Sequence, residues 1–346
     1  MRIGNVIGGK WRLDALLGRG MTSDVYLVTQ VTQVTQVTQV THRNGHRAAL
    51  KLFHASRCPD AETCTRLVQE ARIANTIRHR SVLRIDDDGV TEDGRVYLVL
   101  ELLEGETLEA RRVRYGGRLP LTELSPIVEE LTSAMAAIHA ADVVHRDFKP
   151  HDVFLTDSGQ LRLLDFGTSR VFACAPAFMS PEVAAETMVA IDRRSDIWSL
   201  GALLFTVLSG HAVHEADDDA ALRWTAATRQ ARPLAWVDES IDDRIAGVVD
   251  RALAFDKRDR WQTVSEMRLA FRRAVYAAMP DMPGARGDDE VTADFKASLR
   301  TFALPPPSRP RKVEGQRAGL ADAGSGIPGT PDGISRPPRA SDEKAD

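Results

Sequence analysis

The chain has 346 residues, of which 43% are hydrophobic and 27% are charged. This length and apolar content are enough for a core of ordinary size, which excludes a wholly disordered protein and predicts two packed lobes. The formal net charge of −4 provides no large basic field. We therefore expect no general attraction to nucleic acid or to a membrane surface, and specific patches remain open.

The cysteines and the apolar runs indicate the cellular compartment of the protein. Cys58, Cys64 and Cys174 show no metal-ligand spacing, and a sparse, odd set of cysteines is typical of a reducing environment. No apolar run reaches about 18 residues, and residues 1–10 lack the apolar region of a signal peptide. We expect a cytoplasmic protein without membrane insertion.

The first third of the chain has the pattern of short strands around one helix. Residues 11–17, 25–28 and 48–53 are predicted strands, and residues 61–78 carry apolar side chains at helical spacing. These elements predict a small lobe rich in strands.

The middle of the chain is helical, and its end is not. Apolar residues three and four positions apart predict helices over residues 124–140, 195–208, 241–254 and 263–276. From residue 279 to residue 346 the sequence is rich in Pro, Gly and Arg and has few large apolar residues. We predict a large helical lobe followed by a disordered tail over residues 279–346.

A Val-Thr-Gln triplet recurs over residues 28–41. A period of three matches neither the strand nor the helix, so no face of this segment is consistently apolar. We predict an insertion that lengthens the hairpin between the strands at 25–28 and 48–53 and lies outside the folded body. A neutral duplication and a docking ribbon for a partner both remain open.

The residues that carry chemistry lie at 145–152, His-Arg-Asp-Phe-Lys-Pro-His-Asp, and at 165–167, Asp-Phe-Gly. They combine a candidate base, Asp147, a cation, Lys149, and further carboxylates, which is the set of groups that phosphoryl transfer needs. These two segments resemble the catalytic loop and the metal-binding loop of a protein kinase. Lys149 after the aspartate is similar to the serine/threonine branch, and the Ala- and Arg-rich chain resembles bacterial kinases of the eukaryotic type.

The resemblance implies an α+β, bilobal protein kinase-like fold. It has a small β-rich N-lobe with one main helix and a larger α-rich C-lobe. After a lead at residues 1–10, the kinase domain would span residues 11–278, with the N-lobe at 11–100, the hinge at 101–105 and the C-lobe at 106–278.

The resemblance also implies an ATP site. Gly18 and Gly20 would bring backbone N–H groups close to the phosphates, with Ser23 where a third glycine is usual. Lys51 would reach the α- and β-phosphates, held by the carboxylate of Glu70. The alternative for Gly18 and Gly20 is that they form an ordinary hairpin turn.

The adenine ring would lie between the two lobes. The implied contacts are apolar side chains above and below the ring and backbone groups at its edge: Val25, Ala49, Phe154, Glu101 and Leu103.

The resemblance assigns the chemical roles in the same way. Asp147 would orient the substrate hydroxyl and accept its proton, and Lys149 would neutralise charge on the γ-phosphate. Asp152 and Asp165 would bind Mg²⁺ or Mn²⁺.

Three features depart from the family pattern. Asp152 replaces an asparagine and adds negative charge beside Asp147 and the nucleotide, which predicts stronger metal dependence. Ala175 replaces a threonine whose hydroxyl would link the catalytic aspartate and lysine. The segment over residues 165–182 is short, so we expect weakened activity.

Other family positions have scaffold roles. Glu182 and Arg260 would form a buried ion pair, Asp196 would bind the backbone of the catalytic loop, and His145 would pack under Phe166.

Three functions remain open. The first is a serine/threonine kinase that uses ATP to phosphorylate protein hydroxyls. The second is a nucleotide-binding pseudokinase that acts as a scaffold or an allosteric regulator, and the third is a kinase-like enzyme that acts on a small molecule. The tail or the insertion could bind a protein partner.

Overall fold

The structure is a computed structural model that describes residues 1–31, 45–57, 59–164, 175–186 and 191–280. All of these residues belong to one compact unit, Met1–Pro305, and a second unit, Pro306–Asp346, lies wholly outside them. Asp165, Phe166, Cys58 and Cys174 are also outside the described residues.

Nine strands are described in the chain, and they form two sheets. Their bounds are β1 Val6–Ile7, β2 Trp11–Arg19, β3 Ser23–Gln30, β4 Arg47–Phe53, β5 Ile85–Val90, β6 Val96–Glu101, β7 Gly105–Thr107, β8 Val153–Thr156 and β9 Leu161–Leu163. The first six form an antiparallel sheet in the order β1-β2-β3-β4-β6-β5, and the last three form the small sheet β7-β8-β9.

The described α-helices are α1 Ala61–Ile73, α2 Leu108–Arg114, α3 Leu121–Ala140, α4 Pro181–Ala184, α5 Arg193–Ser209, α6 Asp219–Thr228, α7 Leu234–Val237, α8 Asp243–Ala252 and α9 Val264–Ala278. The predicted strand-rich and helix-rich regions are confirmed. The four helices predicted in the second region are present as α3, α5, α8 and α9.

Two boundaries differ from the prediction in the small lobe. The predicted lead contains β1, whose Ile7 is buried in the core. The Val-Thr-Gln segment begins inside β3, where Val28 is fully buried, so the insertion starts later than residue 28. The strands that flank it do pair as a hairpin, since Thr29 lies opposite Arg47. Residues 32–44 lie outside the described residues.

The helix predicted over residues 61–78 ends early. Asp60 caps α1 by accepting a hydrogen bond from the Thr63 backbone N–H, and the helix stops at Ile73. The Asn75 side chain bonds both the backbone N–H and the carbonyl of Ile85, each at 2.9 Å. A short polar side chain that competes for backbone groups ends a helix, and here it ties α1 to β5.

The large lobe is built around α5. This helix is buried on nearly every side, as expected for a helix at the centre of a domain. It packs on α8 through Gly201, where a Cβ would lie 2.9 Å from the Ala252 Cβ. Asp192 caps its first turn, and Gly210 ends it with a φ of 81°.

Of the helices that the structure describes, none combines the length and the apolar character that a bilayer crossing requires.

Candidate active site

Lys51 lies on a defined face of the sheet. Successive side chains of β4 point to opposite faces of the sheet. Leu50 and Leu52 therefore lie on the face opposite Lys51, where they join the core. Lys51 shares its own face with Phe53, whose ring centroid is 5.3 Å from the Lys51 Nζ. Phe53 packs in a cluster with Leu67 of α1. The lysine therefore lies on the side of the sheet that α1 covers.

The predicted partner of Lys51 is on that side too. Glu70 follows Leu67 by three residues in α1, and both Glu70 and Lys51 are buried. Burying charge is costly unless opposite charge or donors compensate it, so polar residues buried on facing elements indicate a built electrostatic site. The resemblance to protein kinases implies a contact between Glu70 and Lys51, and that contact stays a prediction.

Apolar side chains extend the Lys51 face towards the open edge of the lobe. Val25 is directly opposite Lys51, and Leu27 and Leu100 are opposite Ala49. Residues directly opposite in an antiparallel pair share a face. All of these apolar residues are only half-buried, which is the exposure of a cleft wall. Leu27 was missed by sequence analysis, although its two-residue spacing from Val25 was a usable signal.

The glycine turn lies at the end of this face. Gly18 is opposite Val25, and the Gly20 N–H donates to the Ser23 carbonyl at 2.9 Å. A Cβ at Gly18 would meet nothing within 4 Å among the described atoms. Packing does not require this glycine, so its position fits close approach of a ligand to the backbone.

The strand β6 ends at the predicted hinge. Glu101 is exposed, and its carboxylate is 3.5 Å from the Arg162 guanidinium of β9. Leu103 is half-buried. Phe154 is a half-buried residue of β8 opposite Thr107. The structure therefore places the hinge segment beside the strands that follow the catalytic loop.

In the catalytic loop, the carboxylate of Asp147 has two donors. The Lys149 Nζ is 2.7 Å from Asp147 Oδ2, and the Ala175 backbone N–H donates to Oδ1 at 2.8 Å. The Asp147 side chain keeps 18% of its surface exposed. It is thus oriented by the chain and still open to a ligand.

Asp152 lies on the other side of Lys149. Its Oδ2 accepts from the Lys149 Nζ and from the Lys149 backbone N–H, each at 3.2 Å, and the residue is buried. Lys149 consequently bridges two carboxylates, which offsets part of the repulsion expected from an acid at position 152. The Leu164 N–H donates to the Asp152 carbonyl at 2.7 Å, and Asp165, the next residue, lies outside the described residues.

A third carboxylate supports this loop from below. Asp196 accepts from the backbone N–H groups of His145 at 2.9 Å and of Arg146 at 2.7 Å, and His139 Nε2 lies 2.8 Å from it. Arg146 has a φ of 73°, a conformation that a non-glycine residue adopts only when its surroundings hold it there. The scaffold role predicted for Asp196 is confirmed. His145 packs edge-on against Phe148, with the ring centroids 5.2 Å apart.

The predicted ion pair of the large lobe is also present. Arg260 is fully buried and binds both oxygens of Glu182 at 2.8 and 2.9 Å. Burial, the largest influence, raises the pKa of Glu182. The hydrogen bonds and charge of Arg260, with a hydrogen bond from Ser195, outweigh it, so the pKa lies below the ordinary value of 4.5. The pair anchors α4 to the segment before α9.

Comparison with known proteins identifies the family. Residues 11–270 match the protein kinase domain family. The chain belongs to that family.

The three relatives of this kinase domain described next are bacterial. The chain is 31% identical over 298 residues to the serine/threonine-protein kinase pkn2 of Myxococcus xanthus, which covers 81% of this chain and 34% of the relative. It is 26% identical over 314 residues to PknB of Mycobacterium leprae, covering 86% and 48%. It is also 26% identical over 288 residues to PrkC of Bacillus subtilis, covering 80% and 42%. The chain thus spans half or less of the length of these relatives.

Solved structures show the same fold. The PknI kinase domain of Mycobacterium tuberculosis superimposes with a TM-score of 0.63 at 24% identity, covering 79% of this chain and 99% of that one. A cysteine-to-alanine variant of that domain gives a TM-score of 0.64 at 23% identity, covering 80% of this chain and 99% of that one. The predicted fold, an antiparallel N-terminal sheet with one main helix and a helical C-terminal lobe, is confirmed.

One family position acquires a different meaning in the structure. The hydroxyl expected at position 175 is absent, yet the Ala175 backbone N–H holds Asp147 and Lys149 contacts the same carboxylate directly. The predicted loss of an organising contact is therefore offset. A backbone donor has no residue signature, so sequence analysis missed it.

The kinase family implies the use of ATP with Mg²⁺. Among the described residues there is no cluster of three or more side chains that could hold a metal ion. Asp152 supplies a hard oxygen that suits Mg²⁺, and the second predicted ligand, Asp165, is outside that part of the chain. The chemistry of the Asp152 carboxylate thus fits one ligand of such a cation.

Proposed function

We propose that this chain is an ATP-dependent serine/threonine protein kinase, which transfers the γ-phosphoryl group of ATP to hydroxyl groups of proteins. The observation that carries the proposal is the carboxylate of Asp147, oriented by Lys149 and by the Ala175 N–H and still exposed to a ligand. The bacterial serine/threonine kinases among its relatives support the same substrate class.

The nucleotide would bind on the Lys51 face of the small lobe. Lys51 would neutralise phosphate charge, while Gly18 and Gly20 would allow close approach of the backbone. Val25, Ala49 and Phe154 would contact the adenine, and the backbone at Glu101 and Leu103 would bind its edge.

Asp147 would position the substrate hydroxyl and accept its proton. Lys149 would neutralise the charge that grows on the transferred group, and preorganised charge of this kind is a large part of enzymatic rate enhancement. Asp152, together with Asp165, would hold Mg²⁺, which supplies charge neutralisation to the phosphates when it is bound. Proton transfer and orientation are the steps assigned to the chain itself.

A specific contact favours a second candidate, a nucleotide-binding pseudokinase. Asp152 competes with Asp147 for Lys149, since both carboxylates lie within 3.2 Å of its Nζ. A lysine held in this way would serve phosphate less well. The chain would then bind nucleotide and act as a scaffold or a regulator.

One experiment distinguishes these functions. Purified full chain and its Asp147→Ala variant are incubated with γ-labelled ATP and Mg²⁺ or Mn²⁺, and label is measured on the chain and on a generic basic protein. We expect transfer to serine or threonine that falls by about a thousandfold in the variant, within the range for loss of a general base. Nucleotide-dependent thermal stabilisation without transfer would support the pseudokinase and contradict the kinase.

The nucleotide site has its own control. Lys51→Met should abolish stabilisation by ATP, whereas Lys10→Met, at an exposed lysine paired with Asp87, should leave it unchanged. Equal stabilisation of both variants would contradict the placement of the phosphates. A cytoplasmic location and a protein partner for the tail or the insertion remain predictions.

A further inference from the structure

A groove lies between α8 and α9, on the large lobe. Its volume is about 590 Å³. Its lining includes the apolar residues Val248, Trp261, Leu269 and Ala274 and the cationic residues Arg244 and Arg273. None of these residues belongs to the proposed nucleotide or catalytic site.

The floor of the α8–α9 groove is preformed. The Trp261 indole N–H donates to the Val248 carbonyl at 3.0 Å, and the Arg251 guanidinium stacks 4.0 Å above the Trp261 ring. Leu269 leaves 46% of its surface exposed beside this ring. A fixed indole with a neighbouring exposed leucine offers an apolar contact that needs little rearrangement.

The groove also carries a small excess of positive charge, because the acid Glu266 offsets only one of the two arginines Arg273 and Arg251. On the other side of α9, Arg268 and Arg272 both pair with Glu129 of α3. Within the described part of the chain, neither Arg273 nor Arg251 forms an ion pair. Arg244 is paired with Asp242, and Glu266, the acid at the groove, binds the Gln262 backbone N–H at 3.1 Å. The electrostatics therefore favour a ligand that combines acids with apolar side chains.

The chain provides such a segment shortly after α9. Residues 288–295 read Asp-Asp-Glu-Val-Thr-Ala-Asp-Phe, so acids alternate with Val291 and Phe295. Pro283 and Gly284 lie between this segment and α9, and such residues favour a reversal of the chain. The residues from 279 to 287 can span roughly 30 Å when extended. The groove lies within about 18 Å of the end of α9.

We propose that residues 288–295 dock in the α8–α9 groove of the same chain. The acids lie against Arg273 and Arg251, and Val291 and Phe295 contact Trp261 and Leu269. This inference goes beyond the proposed function and does not depend on catalysis. A short tether gives an effective concentration in the millimolar range, so weak contacts suffice to keep the segment bound. The predicted disorder of the tail would then begin after this segment.

Amide hydrogen exchange of the full chain tests the proposal. In the native chain, the amides of residues 288–295 should exchange more slowly than those of residues 318–326 after correction for intrinsic rates. Arg273→Glu should speed their exchange about threefold, the factor that corresponds to one exposed ion pair. Asp289→Lys should act in the same direction, and the double variant should recover much of the protection.

Arg84→Glu is the matched control, because Arg84 is an exposed arginine outside the groove. It should leave the exchange of residues 288–295 unchanged. The proposal is overturned if this segment exchanges at the rate of residues 318–326 in the native chain, or if Arg273→Glu has no more effect than the control. It is also overturned if protection falls upon dilution, because that outcome assigns the groove to the tail of a second copy.

Discussion

Asp196 and Asp147 serve the same loop and differ in what surrounds them. Asp196 is fully buried and saturated by two backbone N–H groups and by His139. Asp147 has two donors and keeps part of its surface open. The difference teaches that a carboxylate whose acceptors are all used within the chain supports structure, whereas an oriented carboxylate with exposed oxygen is available for chemistry.

The same contrast in burial separates the ion pair of Glu182 and Arg260 from the ion pairs at the surface. Removal of the buried arginine has the largest expected effect. Arg260→Met removes a fully buried cation and leaves the Glu182 carboxylate, which is 9% exposed, without its bidentate partner, so the free energy of unfolding should fall by about 3–5 kcal/mol. Chemical denaturation measures this change.

The matched control is two residues away. Arg258→Met breaks a pair whose arginine is 82% exposed, and such pairs contribute at most about 1 kcal/mol. Equal destabilisation by the two variants would show that burial does not distinguish these ion pairs.

The orientation of Asp147, the partly exposed carboxylate, depends on a backbone donor. Ala175 has a φ of −70°, which proline also adopts, so Ala175→Pro removes the N–H while keeping this backbone angle. A hydrogen bond to a charged group contributes about 1.5–3 kcal/mol, so kcat should fall by roughly 10- to 100-fold with KM for ATP unchanged. Steady-state kinetics provide the measurement.

Ala175→Gly keeps the N–H, adds no hydroxyl and is the control for that experiment. It should retain kcat within about twofold, since the hydrogen bond to Asp147 is preserved. If Ala175→Pro also retained kcat, orientation of Asp147 by this amide would be refuted.

A smaller effect is expected at Asp152. Asp152→Asn removes one of the two carboxylates that hold Lys149, so activity should rise or its metal dependence should relax, by a few-fold at most. Transfer rates at several Mg²⁺ and Mn²⁺ concentrations measure this effect. Asp157→Asn, at an exposed aspartate in the turn after β8, is the control. A hundredfold loss would contradict this expectation and would reveal a catalytic role for the acid.

The smallest effect concerns pH. Since the pKa of Glu182 in the folded chain is lowered from 4.5, its contribution is present above that value and is lost as the pH falls through the folded pKa. Without Arg260, the raising effect of burial on the pKa of Glu182 meets weaker opposition, so this carboxyl is protonated at a higher pH in the variant than in the native chain. The difference in unfolding free energy between the native chain and Arg260→Met should shrink as the pH falls through 4.5, first as Glu182 of the variant takes up a proton and then as Glu182 of the native chain does so. A constant difference from pH 8 to pH 3 would contradict this explanation.

Sequence analysis predicted the elements well where periodicity determines them. The face of β4 that carries Lys51 follows from two-residue alternation, and α5 follows from its apolar run. The end of α1 could not be predicted, because it depends on Asn75 bonding to the backbone of Ile85.

The residues of the candidate site also divide into those that the sequence predicted and those that it did not. The resemblance gave the roles of Asp196 and of the pair Glu182–Arg260, because side chains of fixed type perform them. It did not give the Ala175 N–H, which any residue except proline can supply, or Leu27, whose position depends on strand register. The proposed roles of Asp147 and Lys51 remain predictions, and Asp165 is outside the described residues.

The most direct measurement compares Asp147→Asn with Asp196→Asn for both phosphoryl transfer and thermal unfolding. We predict that Asp147→Asn loses transfer while its unfolding midpoint stays near that of the native chain, and that Asp196→Asn loses both, because it leaves buried N–H groups of the loop poorly satisfied. Full transfer by Asp147→Asn, or an Asp196→Asn variant that is as stable as the native chain, would contradict the assignment of chemistry to one carboxylate and support to the other.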